Sequence, residues 1–297
     1  MKNKFVRNAL AFFAIFTMTI TGAMANTLEK AKTTGKFTLA YRESSIPFSY
    51  LGEDGKPLGF GWEMCKLIAE EVKKETGRKD LVVESQAVTS QNRIPLIQNG
   101  TVDVECGSTT NNSERGKQVT FAINYFYTGT RFLVKADSGI KSINDLKGKK
   151  VVSTTGTTNY QILRNLNDEK KYGFELLGAK DHADALLMVE SGMAHAFGMD
   201  DILLYGLKAS SKESAKLAVV GESIQVEPYA IMFRKDDPKF QALVNKVITN
   251  SIKTGEFEKA YKKWFQTNIP PKNVNLNAPM SKELKDNLKA LSDKPAL

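Results

Sequence analysis

FTLAYRESSIPFSYLGEDGKPLGFGWEMCKLIAEEVKKETG, residues 37 to 77, holds the three elements whose order decides the fold. Phe37 to Arg42 is a short run of aromatic and β-favouring residues and reads as a strand. The cluster Glu53, Asp54, Gly55, Lys56, Pro57 supplies turn chemistry, because Asp-Gly and Pro suit tight chain reversals. Behind it, Cys65, Ile68, Ala69 and Val72 recur at i, i+3, i+4 and i+7, which predicts an amphipathic helix stopped by Gly77. Strand, turn and helix in that order open a βαβ unit.

Working outward, the pattern repeats. LVVESQAV (81–88) reads as a strand, NRIPLIQNG (92–100) as a short helix, and VDVECG (102–107) as a buried strand. A second series follows Lys135: VVST (151–154) as strand, Tyr160 to Leu166 as helix, FELLGA (174–179) as strand, DALLMVESG (184–192) as helix, then HAFGMD (195–200) and LAVVG (217–221) as strands. Helices between strands imply two mostly parallel sheets with covering helices, an α/β fold of two lobes with a cleft between them. TGTRFLVKAD (128–137) and EPYAIMFRKDD (227–237) look alike and bracket the second series, so they are candidates for the two crossings between lobes. From Pro238 the chain reads as helical, with Phe240, Leu243, Val244 and Val247 on one face and Phe257, Tyr261, Trp264 and Phe265 on the next. Past Pro270 and Pro271 the polar end is expected to wrap the surface.

The amino terminus carries Lys2, Lys4 and Arg7, then an apolar run from Ala9 to Ile20 and the small-residue stretch Ala23, Met24, Ala25. Those three regions define a secretory signal peptide, residues 1–25, since the apolar run falls short of the roughly 20 residues a membrane span needs. The net charge of the 297-residue chain is +9, and removing those three cations leaves +6 on the mature protein. Lys and Arg are scattered among acids, as in Glu70, Glu71, Lys73, Lys74, Glu75, so no nucleic-acid partner is expected. Cys65 and Cys106 are the only cysteines. An even count in an oxidising compartment favours a bridge, with two buried thiols as the other reading. His182 and His195 are too far from each other and from the cysteines to suggest a metal site, and no cofactor motif is present.

Polar clusters fall at the carboxyl ends of the expected strands: Arg42, Glu43, Ser44 after the first, Ser108, Thr109, Thr110 after the third, and Asp200, Asp201 late in the second series. Ligands of open α/β sheets bind at these ends, beside helix amino termini. Arg42, Arg93 and Arg115 each stand near hydroxyl or amide residues, and a guanidinium is well shaped to grip a carboxylate through paired N–H bonds. With Asp200 ionised and His182 neutral, the cluster would sum to +2, a cleft suited to an anion.

YRESSIPFSY, TSQNRIPL, ECGSTTNNSERG, TTGTTNY, AKDHADA, GMDDILL and the closing TGEFEKAYKKWF, in that order, resemble the periplasmic solute-binding proteins of polar amino acid ABC transporters (solute-binding protein family 3), specifically the glutamate and aspartate binders. The resemblance covers essentially the whole mature chain. It implies a type II periplasmic binding fold, with residues 26–131 and 229–297 forming lobe 1 and 132–228 forming lobe 2, joined by two hinge strands. It implies that Arg115, helped by Thr158, grips the ligand α-carboxylate, that Ser108 and Thr110 stand around the α-ammonium and α-carboxylate, and that Asp200 pairs with the ammonium. By the same resemblance Arg42, Ser90, Arg93 and His182 contact the side-chain carboxylate, the partners are L-glutamate or L-aspartate and an inner-membrane ABC permease, and the protein is a periplasmic monomer without a cofactor. Two other roles occur on this fold, a dehydratase similar to cyclohexadienyl dehydratase and a soluble sensor for a receptor. No GxSxG elbow, phosphate loop or zinc helix supports an enzyme.

Overall fold

The computed structural model describes residues 26–296, so the expected signal peptide lies outside the described residues. The opening strand Lys36–Tyr41 and the helix Phe60–Thr76 form as read. Met64, Cys65, Ile68, Ala69 and Val72 are the helix's buried stripe. Gly77 ends it in the left-handed region at φ 69°, where a side chain would be strained. The expected turn forms at residues 53–55 and joins Ser49–Leu51 to Pro57–Leu58 in a small antiparallel sheet, completed by Ser44–Ser45, that the sequence did not suggest. Strands of two or three residues are too short to show alternation in sequence.

A five-stranded sheet runs in the order Val82–Ala87, Lys36–Tyr41, Val104–Glu105, Met232–Arg234, Val119–Phe121. A second sheet runs Glu175–Ala179, Lys150–Thr154, Ala196–Asp200, Phe126–Lys135, Leu217–Val220, with Val226–Tyr229 added on Phe126–Lys135. In each sheet a single strand opposes the rest. Met232–Arg234 is antiparallel to both neighbours in the first, and Phe126–Lys135 is antiparallel to its partners in the second.

Those two strands are also where the chain changes sheet. It enters the second along Phe126–Lys135 and returns through Val226–Tyr229 into Met232–Arg234. The two passages are hydrogen-bonded neighbours, from Phe126 opposite Tyr229 to Gly129 opposite Val226. TGTRFLVKAD therefore lies in one long strand as far as Lys135, whereas EPYAIMFRKDD is split between two strands at Ala230 and Ile231.

Rings from both passages are seated among rings of the first unit. Phe48 meets Phe126 at 4.9 Å, Tyr229 at 5.2 Å and Phe265 at 5.4 Å, and Phe265 stacks on Tyr261 at 4.3 Å. Such pairs add about 0.5–1.5 kcal/mol each beyond the area they bury. The helices Pro238–Lys253 and Glu256–Gln266 present the expected apolar faces, all buried. The tail does more than lie on the surface: it forms the helix Lys282–Ala290. Asn287 Nδ2 donates to Asn124 O at 2.7 Å, and Asn124 N donates to Ser292 O at 3.0 Å. Only Leu284 and Asn287 of that helix are buried, too narrow a stripe to read from sequence.

Cys65 and Cys106 are bridged, with their Cα atoms 5.7 Å apart. The bridge ties the helix Phe60–Thr76 to the end of Val104–Glu105, and it closes a span of 41 residues. Loop-closure entropy gives such a link about 4 kcal/mol. The double substitution Cys65→Ala/Cys106→Ala is thus expected to lower the melting temperature by roughly 10 °C. A thermal melt unchanged by reductant or by the double substitution would show that the link adds nothing.

Candidate functional site

The carboxyl ends of strands from both sheets converge. Arg42 follows Lys36–Tyr41, Ser90 follows Val82–Ala87, and Arg93 opens the short helix Arg93–Gln98. Ser108 and Thr110 follow Val104–Glu105. From the other side, Thr158 begins the helix Thr158–Lys170, His182 begins the helix His182–Glu190, and Asp200 ends its strand and precedes the helix Asp201–Ser210. These eight residues line one small cavity of about 10 Å³, together with Thr157, Asn159, Met199 and Leu203. Arg115 is not on its wall. It stands beside it in Ser113–Gly116, where Nη1 donates to Thr110 O at 3.0 Å and Nη2 to Gly156 O at 3.2 Å. Gly156 has φ 80°, and a Cβ there would lie 2.6 Å from Gln91 Cα, so the two units press together at this edge.

One end of the cavity is cationic. Arg42 and Arg93 are 0% and 2% exposed. Arg42 Nη2 donates to Ser90 Oγ at 2.8 Å and lies 3.5 Å from His182 Nε2 and 3.8 Å from Asp181 Oδ2. Nε and Nη1 of both arginines find no hydrogen-bond partner among the described residues. Burial lowers the pKa of each guanidinium, and Arg93 goes well below the usual range because the charges of Arg115 and Arg42 add to the effect. A buried charge without partners costs several kcal/mol. Such groups call for an anion.

His182 is neutral there. Burial, reinforced by the charge of Arg42, takes its pKa down to about 3. Its Nε2 faces the Arg42 donor and accepts, so Nδ1 carries the proton toward Thr154 Oγ1, 2.8 Å away. His195, expected within a strand, is exposed just before Ala196–Asp200, and its Nδ1 accepts from Lys150 N at 3.1 Å.

Another part of the wall is acidic, more so than the sequence suggested. Asp200 is 2% exposed and accepts from Asn159 Nδ2 at 2.8 Å and from the Tyr229 hydroxyl. Burial first, then the neighbouring charge of Glu227, pushes its pKa up to about 8. Its carboxyl is therefore mostly protonated at neutral pH, which corrects the expectation of an ionised group. Two further carboxylates were missed altogether. Glu227, wholly buried, accepts from Thr110 Oγ1 and Thr158 Oγ1. Glu105, also wholly buried, accepts from Thr109 Oγ1 at 2.6 Å beneath Gly107, and its Oε1 has no partner among the described residues. With Glu105 and Glu227 counted as carboxylates and Asp200 as an acid, the formal sum falls from +2 to +1. The available signal was an acid set inside an apolar strand, as in VDVECG and EPYAIMFRKDD.

Two mostly parallel α/β units, joined by paired crossing strands around a polar cavity, define a two-lobed solute-binding protein. Residues 37–267 match the bacterial extracellular solute-binding proteins, family 3, and the chain belongs to that family. It is similar to the L-glutamate/L-aspartate-binding protein of Pseudomonas aeruginosa, 50% identical over 274 residues that cover 92% of this chain and 91% of the other. It is similar also to the glutamate/aspartate import solute-binding protein of Escherichia coli, 45% identical over 272 residues, covering 92% and 90%. Among solved structures, an ancestral arginine-binding protein bound to glutamine matches with a TM-score of 0.69 at 30% identity, over 78% of this chain and 98% of that one.

Because His182 has a pKa of about 3 in the fold and 6.5 in its absence, the unfolded chain takes the proton first. Its contribution to stability is whole above pH 6.5 and is lost as the pH falls toward 3. Between pH 7 and pH 5 that loss amounts to about 2 kcal/mol. Urea titrations of the ligand-free protein at those two pH values should show it, with a smaller drop in His182→Gln. Equal drops in the two proteins would exclude this role.

Proposed function

We propose that this chain captures L-glutamate or L-aspartate between its lobes in the periplasm and delivers it to the permease of an inner-membrane ABC transporter. The observation that carries this reading is the pair of buried guanidinium groups, Arg42 and Arg93, whose Nε and Nη1 lack acceptors among the described residues. A second carboxylate on the ligand supplies acceptors only. A side-chain amide would turn a donor toward one guanidinium and leave charge unpaired in a closed site, at several kcal/mol. The names of the relatives in Pseudomonas aeruginosa and Escherichia coli support the same ligands.

In this reading Arg42, Ser90, Arg93 and His182 hold the distal carboxylate. Arg115, with the backbone N–H of Thr158 at its helix start, holds the α-carboxylate, and Ser108, Thr110 and Asp200 receive the α-ammonium. Arg115 suits its task because it already links Thr110 of one unit to Gly156 of the other. An ammonium beside Asp200 would offset the charge of Glu227 and return the acid to its ionised form. Lobe 1 comprises 26–131 and 229–297, and lobe 2 comprises 132–228. The carrier works as a monomer, with no cofactor and no nucleic-acid partner, after removal of residues 1–25. No helix among the described residues is long and apolar enough to cross a membrane.

Calorimetric titration of the mature protein with glutamate, aspartate, glutamine and asparagine tests the reading, which fails if neither dicarboxylic amino acid binds. Arg93→Ala and Arg42→Ala should each weaken glutamate by about 10- to 100-fold and glutamine by much less. Equal losses for the two ligands would remove both arginines from the distal role. Asp200→Asn, in contrast, should weaken every α-amino acid to a similar extent. A change confined to side-chain preference would overturn the ammonium assignment.

A further inference from the structure

The returning strand Val226–Tyr229 carries a carboxylate to which the reading above gives no task. Glu227 Oε2 lies 2.7 Å from Thr110 Oγ1 and 2.7 Å from Thr158 Oγ1, and the two hydroxyl oxygens are 3.2 Å apart. Its other oxygen accepts from Gln225 Nε2 at 2.8 Å. Thr110 follows a strand of the five-stranded sheet, while Thr158 begins a helix packed on the other. Three atoms from three elements thus form a triangle at the wall of the cavity, with the carboxylate at the crossing strand.

A proton count fixes what this triangle can offer. Each hydroxyl has one proton and two lone pairs, and a carboxylate accepts only. Either both hydroxyls point at Glu227, or one points at the other hydroxyl, which points at Glu227. Both arrangements consume the two protons inside the triangle. Neither Thr110 nor Thr158 then has a proton to donate into the cavity, and each turns lone pairs toward it. Asp200 lies at the same end, held by Tyr229, which is two residues from Glu227 on one strand. Arg115 and Asp200 both feel the charge of Glu227.

We infer that Glu227 is a positioning residue for ligand choice: by taking up the hydroxyl protons of Thr110 and Thr158 it turns both into acceptors and, with Asp200, builds a pole that receives a cation. The inference rests on the amino acid reading and identifies which ligand group that pole demands, an α-ammonium. An analogue without the amine would set a methylene against several acceptors and find no compensation. Glu227→Gln removes the charge and brings an amide donor that can face the hydroxyl oxygens, which frees their protons.

The test compares L-glutamate with glutarate, its counterpart lacking the amine, by calorimetry on wild type, Glu227→Gln and Thr158→Val. Wild type should prefer L-glutamate by at least about 100-fold, and Glu227→Gln should lose about tenfold or more for L-glutamate but less than about threefold for glutarate. Thr158→Val should narrow the preference in the same direction, and it decides the matter if Glu227→Gln fails to fold in a thermal melt. Equal losses for both ligands in a folded variant would reduce Glu227 to a structural strut and overturn the inference while the function stands. Failure of wild type to bind L-glutamate would instead remove the function on which it rests.

Discussion

Arg42 and Arg93 are held out of water with Nε and Nη1 of each unpaired among the described residues, and much of the surrounding architecture acts to make that tolerable. Isolated ions of this kind cannot be buried without compensation. Ser90 satisfies one donor of Arg42, and a neutral His182 offers it a lone pair in place of a second positive charge. Glu105, set under Gly107 at the end of its strand, supplies a fixed negative charge that favours the ionised form of all three arginines. The remaining deficit is what a ligand fills.

Two groups with opposite demands share the cavity wall. At one, nitrogen donors on Arg42 and Arg93 wait for oxygen. At the other, Asp200 and the hydroxyls of Thr110 and Thr158, both tied to Glu227, line the wall. In the proposed function a dicarboxylic amino acid would satisfy both at once, and a neutral amino acid only one. Selectivity here follows from the penalty of leaving a buried group unmatched more than from any single favourable contact.

Much of this was legible in the chain. The periodicity of Cys65, Ile68, Ala69 and Val72 located a helix correctly, and eight of the nine candidate residues reach one cavity wall: Arg42, Ser108, Thr110 and Asp200 followed from the rule that ligands gather at strand ends, whereas Ser90, Thr158 and His182 came from the family resemblance alone. What stayed hidden has physical causes. Glu105 and Glu227 sit inside apolar runs, where an acid reads as a strand's exposed face until tertiary burial is known. EPYAIMFRKDD gave no hint of its break at Ala230 and Ile231, because pairing with two different strands is a long-range property. Cysteine count alone left the bridge open. The protonation of Asp200 depends on depth and on Glu227, neither of which composition records.

The pairing of Phe126–Gly129 with Val226–Tyr229 puts the chain's departure and its return side by side, and every strand of the five-stranded sheet lies outside that interval. The molecule is thus one unit with another spliced into it through a single doorway. A short turn bridging that doorway would leave the order of the outer sheet intact. The guanidinium side chains and the helix starts that answer them therefore belong to pieces able to diverge separately, each keeping its own sheet while the shared ligand changes.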